Sequence, residues 1–208
     1  MESVLFSDPF LNHISTYLNP TTLYNLCKTC KQFRIIITKS HFEKASILVI
    51  RKRLLDIYET EAKLLHWLNK LQSGGGVIAG DAILFCILDE KKSMPFECFY
   101  PSTFKFDEEL IKCRSLAYDI RYHDYAECTK FYTRVIKHAV VKDSDVNRFL
   151  NNIFLFDFCR NKYWYTGKDH IDVKSFNQIL SKKIKHDGHT SYFSAKQYTS
   201  MGFTFVKN

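Results

Sequence analysis

The stretch FSDPFLNHISTYLNPTTLYNLCKTCKQF, residues 6–33, decides how this chain begins to fold. Asp8-Pro9 supplies a helix cap followed by proline at the first turn, and Phe10, Ile14 and Leu18 then fall on one helical face. Asn19-Pro20 breaks that helix, and Thr21 or Thr22 can cap the next. Its apolar positions Leu23, Leu26, Cys27, Cys30 and Phe33 recur at spacings of three and four, which draws one stripe along a helix. Two helices this short cannot bury much surface alone, so the hairpin packs on its own domain or on a partner. Cys27 and Cys30 stand one turn apart on the apolar stripe with no second pair nearby, whereas zinc wants four ligands; the pair reads as packing.

Working outward, Ser40 precedes a third helical pattern that runs to about residue 70, with Phe42, Ala45, Leu48, Leu54, Leu55, Tyr58, Ala62, Leu65 and Leu68 on its buried side. Its length suggests a helix connecting two modules. Ser73-Gly74-Gly75-Gly76 marks the clearest boundary. Beyond it the pattern alternates. Val77-Ile78 reads as a strand, Ala82–Leu88 as a short buried helix, Phe96–Tyr100 as a strand and Asp107–Ile120 as a helix. Phe131–Val141 follows as a strand, Asp143–Leu150 as a helix capped by Asp143 or Ser144, and Ile153–Phe158 as an apolar strand. Such alternation predicts a layered α/β or α+β fold.

Composition narrows the class. Hydrophobic residues make up 46% and charged residues 25%, with 18 Phe and 12 Tyr against only 7 Gly and 4 Pro, so the chain can build a packed core. The net charge is +8, with Lys174, Lys182, Lys183, Lys185, Lys196 and Lys207 near the end, which raises nucleic acid or an acidic partner as a contact. No arginine–aromatic pattern accompanies these lysines, so a solvated face is the simpler reading. Seven scattered cysteines and no basic n-region at the start predict a reducing compartment, cytoplasmic or nuclear. The longest apolar run, Val77–Leu88, is short for a span and contains Asp81, so no membrane association is expected. No nucleophile elbow, Walker loop or kinase signature occurs.

Residues 6–33 resemble the F-box. The family pattern of Leu-Pro-x-Glu-Leu-Leu-x-x-Ile-x-x-x-Leu, a short break, and a Leu-rich helix ending in Cys-Lys-x-aromatic is matched by Phe10, Leu11, Ile14, Leu18, Leu23, Leu26, Cys30, Lys31 and Phe33. The resemblance implies docking onto a Skp-type adaptor subunit of a cullin ubiquitin ligase, with Pro9, Phe10, Leu11, Ile14, Leu18, Leu23 and Leu26 as partner-binding residues.

The second half is similar to the nucleotidyltransferase-like domain that follows F-box modules in proteins of large DNA viruses. The similarity lies in Val77-Ile78-Ala79-Gly80, the segment IFLFDFCRN at residues 153–161, and Lys196–Phe203. Glycines before a helix let backbone amides approach a phosphate, though the same run also serves as a flexible join. Catalysis in that family needs clustered carboxylates holding divalent metal. Pro95 takes the first acid's place here, Glu97 the second and Asp157 the third, so Gly75, Gly76, Gly80, Asp81, Glu97 and Asp157 read as the remnant of a nucleotide and metal site. Proline supplies no ligand, and catalysis reads as lost.

The expectation is therefore an α+β protein: a helical F-box-like module at 1–40, a connecting helix at 41–72, and a small mixed α/β nucleotidyltransferase-like domain at 73–208. It would bind a Skp-type subunit and recruit a target protein through a catalytically inactive domain, with no catalytic residues, cofactor or resident metal. The alternatives are an active metal-dependent nucleotidyltransferase and a basic nucleic-acid-binding module.

Overall fold

Asn19 and Pro20 do more than end a helix. Asn19 Oδ1 accepts from the Thr22 N–H at 2.7 Å, so Asn19 is the N-cap and Pro20 the first residue of α1 (Pro20–Thr29). The cap expected of Thr21 or Thr22 falls to Asn19, because proline suits the first helical position, where a missing N–H leaves no bond unmade. The computed structural model describes residues 13–14, 16–90, 94–104, 123–124, 128–132, 136–141, 144–153, 160–186, 196 and 198–207. The helical stripe to Phe33 is interrupted once. Cys30 is extended, ends α1, and caps α2 (Lys31–Ile36) through its Sγ, which accepts from the Phe33 N–H at 3.5 Å. Thr38 caps the next helix, α3 (Lys39–Tyr58), and its N–H donates to His41 Nδ1 at 3.2 Å, where a capping box usually has Glu or Gln.

The single connecting helix expected over 41–72 is two helices. Glu59 takes a left-handed conformation (φ 65°), and Thr60 then caps α4 (Glu61–Ser73) by accepting from the Lys63 N–H at 3.3 Å. The break brings the Tyr58 and Trp67 rings to 5.0 Å. Apolar spacing continues across the break because both helices face the same core, and spacing registers a face but not a reversal.

The sheet begins after the glycines with β1 (Val77–Ala79), followed by α5 (Asp81–Ile87) and β2 (Phe96–Tyr100). Next come β3 (His123–Asp124), β4 (Cys128–Tyr132), β5 (Ile136–Val141) and α6 (Val146–Ile153). β6 (Lys162–Tyr165), β7 (Asp169–Asp172), α7 (Phe176–Ser181), β8 (Lys183–His186) and β9 (Thr204–Lys207) complete the order. Seven strands form one sheet in the order β3-β4-β5-β2-β1-β6-β7, and β8 pairs with β9 separately in parallel. Among the described residues of the large sheet only β2 and β5 pair in parallel. The strand expected over Phe131–Val141 is thus two antiparallel strands. Ile153 closes α6 instead of opening a strand, and Asp145, not Asp143 or Ser144, caps that helix by accepting from the Asn147 N–H at 2.9 Å. The helix expected at Asp107–Ile120, the strand residues 154–158 and the first helix up to residue 12 lie outside the described residues.

Strand alternation sorts the side chains into two layers. Ile78, Phe96, Cys98, Tyr100, Ile136 and Tyr163 join the helices in one core that runs from Leu23 to Phe203. On the opposite face Ala79, Phe99, Ala139 and Val141 are covered by Val146, Phe149 and Leu150 of α6. The N-terminal hairpin is tied to the sheet layer at α5, where Thr21 Oγ1 donates to the Leu88 carbonyl at 3.2 Å and Asn19 Nδ2 to Asp89 Oδ2 at 2.7 Å. Arg53 of α3 secures the same helix end by donating to the Glu90 and Phe85 carbonyls at 2.6 and 3.3 Å, which places a cation where the helix dipole is negative.

Candidate functional site

Two regions carry the residues singled out in the sequence: the apolar side of the N-terminal hairpin, and the glycine turn with its neighbouring acids.

On the hairpin, Leu23 is 2% exposed and belongs to the core. Its side chain is covered by the same polypeptide, which corrects its placement among the partner-binding residues. Ile14, Leu18 and Leu26 are half-buried, and Leu18 and Leu26 pack against the core edge. Pro9, Phe10 and Leu11 lie outside the described residues. Two large apolar side chains that the pattern did not single out are the exposed ones: Tyr17 at 77% and Ile35 at 68%. Ile35 is exposed because it is out of phase with Phe33 and Ile36, the α2 side chains that pack against the core. Cys27 and Cys30 remain free thiols, and burial raises the Cys27 thiol above its ordinary range.

The glycine turn is a packed corner. A Cβ on Gly76 would meet Leu71 Cδ1 and Tyr100 Cε1 at 2.6 Å, and Gly75 has φ 65°, so glycine is required by close approach at one position and by backbone conformation at the other. Tyr100 is itself pinned, stacked on Phe104 at 4.4 Å, with its hydroxyl 3.1 Å from His138 Nδ1. Both Tyr100 and His138 are buried, and burial lowers the His138 pKa from 6.5 to about 4.

Gly80, with φ 88°, leads into Asp81 at the first turn of α5. Asp81 Oδ1 accepts from the Tyr198 hydroxyl at 2.8 Å, so this carboxylate fastens the C-terminal segment to the helix start. A carboxylate there already meets the positive end of the helix dipole. Glu97 sits on the α6 face of β2. The register aligns Lys137, Glu97, Ala79, Lys162 and Asp172 in one row across five strands. Lys137 Nζ donates to Glu97 Oε1 at 3.1 Å, and Lys162 reaches Asn147 Oδ1 at 2.7 Å and Asp172 at 3.8 Å. The carboxylate that would hold a divalent cation is therefore neutralised by an ammonium from the neighbouring strand. Asp157, the third acid of the set, lies outside the described residues. Among the described residues no three His, Cys, Asp or Glu side chains come together.

The C-terminal lysines partly serve the fold. Lys182 Nζ donates to the Met201 carbonyl at 2.9 Å and to Glu90 Oε1 at 3.3 Å, and Lys174 pairs with Asp172 at 3.1 Å. Among the described residues no helix is long and apolar enough to cross a membrane.

The geometry defines a mixed α+β protein with a helical N-terminal hairpin that keeps apolar side chains in water. The family model for the F-box domain matches residues 6–45, which takes in α1, α2 and the start of α3. F-box domains typically bind Skp-type subunits, so the match points to an adaptor of cullin ubiquitin ligases. No curated protein and no solved structure matches the chain.

Proposed function

We propose that this protein is an F-box adaptor: residues 6–45 dock on a Skp-type subunit, and the sheet-containing remainder recruits a target protein for ubiquitin transfer. The observation that carries the reading is the F-box match, with Tyr17 and Ile35 standing in solvent inside it. Half-buried Ile14, Leu18 and Leu26 extend the apolar ridge, Leu23 supports it from beneath, and the motif assigns Pro9, Phe10 and Leu11 to the same partner. An exposed aromatic and an exposed aliphatic side chain cost little on the free chain and gain most when a partner covers them.

The remainder serves as a non-catalytic scaffold. Its resemblance to nucleotidyltransferase-like domains of large DNA viruses rests on sequence, and the mixed sheet, the Gly80-Asp81 turn and Glu97 on β2 are consistent with a retained fold. The Glu97–Lys137 pair and the Tyr198–Asp81 bond give both acids structural duties in place of metal ligation.

Co-expression with a Skp-type subunit tests the adaptor role. The expected result is a co-purifying complex that Tyr17→Glu and Ile35→Glu each weaken by about ten-fold, while thermal melting of the isolated chain stays the same. Failure of the wild-type chain to retain the subunit under conditions where a known F-box protein does so overturns the proposal.

A further inference from the structure

A second recess opens where the F-box segment meets the C-terminal half, lined by residues of α1, α2, α3 and α7 and enclosing about 420 Å³. Its floor is Ile37, Phe42, Val173 and Phe176, all buried, with the Phe42 and Phe176 rings 5.4 Å apart. Cationic side chains alone supply its charge: Arg34, Lys39 and Lys174 line it, all exposed, and no carboxylate does. Lys39 and Lys174 have acids behind them, Glu43 at 3.4 Å and Asp172 at 3.1 Å, neither of which lines the recess. The larger groove, about 870 Å³ between Tyr17 and α3, differs in kind: Lys52 and Arg53 are outnumbered there by Asp56, Glu59, Asp89 and Glu90, so its lining is acidic and disfavours an acidic ligand.

We infer that the smaller recess is the target-binding pocket of the adaptor, and that its occupant is a short acidic peptide segment carrying one bulky apolar side chain. The proposal rests on the adaptor reading for its biological purpose. An apolar floor of this size accepts a single Phe- or Leu-sized anchor, and three cations around an acid-free lining favour carboxylates on either side of that anchor. The position also suits recruitment, because the walls come from the F-box segment itself and from α7. A captured peptide is thereby held against the body that docks the ligase.

The test uses the full chain and a fluorescein-labelled peptide with a central Phe flanked by Asp and Glu, read by fluorescence anisotropy. Two controls replace the acids by Lys, or the Phe by Ser. Lys174→Glu reverses an exposed charge at the rim. Asn177→Asp adds a carboxylate in the first turn of α7, where a negative charge favours the helix, so both variants should fold. Each is expected to weaken the acidic peptide by roughly five-fold, and added salt should weaken the wild type similarly. Both control peptides should bind more weakly than the parent. Retention of the Skp-type subunit is measured on the same samples. Loss of peptide with the subunit retained supports the pocket. If the wild type holds the peptide but no Skp-type subunit, the adaptor reading falls while the pocket stands. Equal binding of acidic and basic peptides, indifference to both substitutions, equally strong binding of a labelled oligonucleotide, or a self-association that Lys174→Glu abolishes would each overturn the pocket assignment.

Discussion

Acid should weaken this fold in part through the His138 imidazole. His138 is 1% exposed on β5 beside the Tyr100 hydroxyl, and burial depresses its pKa from 6.5 to about 4. A histidine held neutral in the native state takes up its proton more readily when unfolded, so stability rises with pH wherever the unfolded chain binds the extra proton. The contribution is fully present above about pH 6.5, falls steadily as pH drops through the window, and is exhausted near pH 4. At ~1.4 kcal/mol per pKa unit, the gap between the two values corresponds to a loss of about 3 kcal/mol. Urea unfolding at pH 7.5 and at pH 4, for wild type and His138→Gln, isolates this term from the carboxylates that titrate nearby. The substituted chain should be the less stable at pH 7.5 but should lose about 3 kcal/mol less on acidification. Parallel stability–pH curves for the two chains would refute the reasoning.

Other substitutions probe the remaining assignments. Gly76→Ala should destabilise by about 1–3 kcal/mol in denaturant melts, because its Cβ would press on Leu71 and Tyr100; an unchanged midpoint would restore an open, ligand-facing turn. Leu23→Asp should unfold the chain and not merely uncouple a partner, since it places a carboxylate among core side chains; a folded, monomeric variant by circular dichroism would contradict its burial. Tyr198→Phe removes the bond to Asp81 and should cost about 1 kcal/mol while speeding proteolysis in the C-terminal segment, measured by limited digestion. Lys137→Met should leave Glu97 without its ammonium and create magnesium sensitivity in thermal melts; no response to magnesium would show that the row cannot host a cation even when freed.

Much of the architecture could be read directly because local physics dictates it. Apolar spacing located the second helix of the N-terminal hairpin, the short helix after the glycines and the strand Phe96–Tyr100, whose bounds in the structure are those expected. The F-box resemblance was legible for the same reason, since its motif is a helical periodicity with a fixed break. The breaks at Cys30 and Glu59 were not legible. Both lie inside uninterrupted apolar patterns, and nothing in the spacing reports a cysteine used as a cap or a left-handed glutamate. Among the acids, residue type suggested metal while strand register decided otherwise: Lys137 lies 40 positions from Glu97 and becomes its partner only because β2 and β5 pair in parallel.

What the amino-acid order determined by itself, then, was the kind of element over several stretches between Pro20 and Leu150 and the presence of an F-box motif near the start. Helix and strand periodicity, caps and glycine turns act over a few residues, and they are written where they act. Only the tertiary structure decided which apolar side chains remain available. Leu23 turns into the shared core, Tyr17 and Ile35 stay in water, and Phe42 meets Phe176 to floor a recess that neither half contains alone. Burial and ion pairing depend on what the rest of the chain brings alongside, and that is a property of the folded whole.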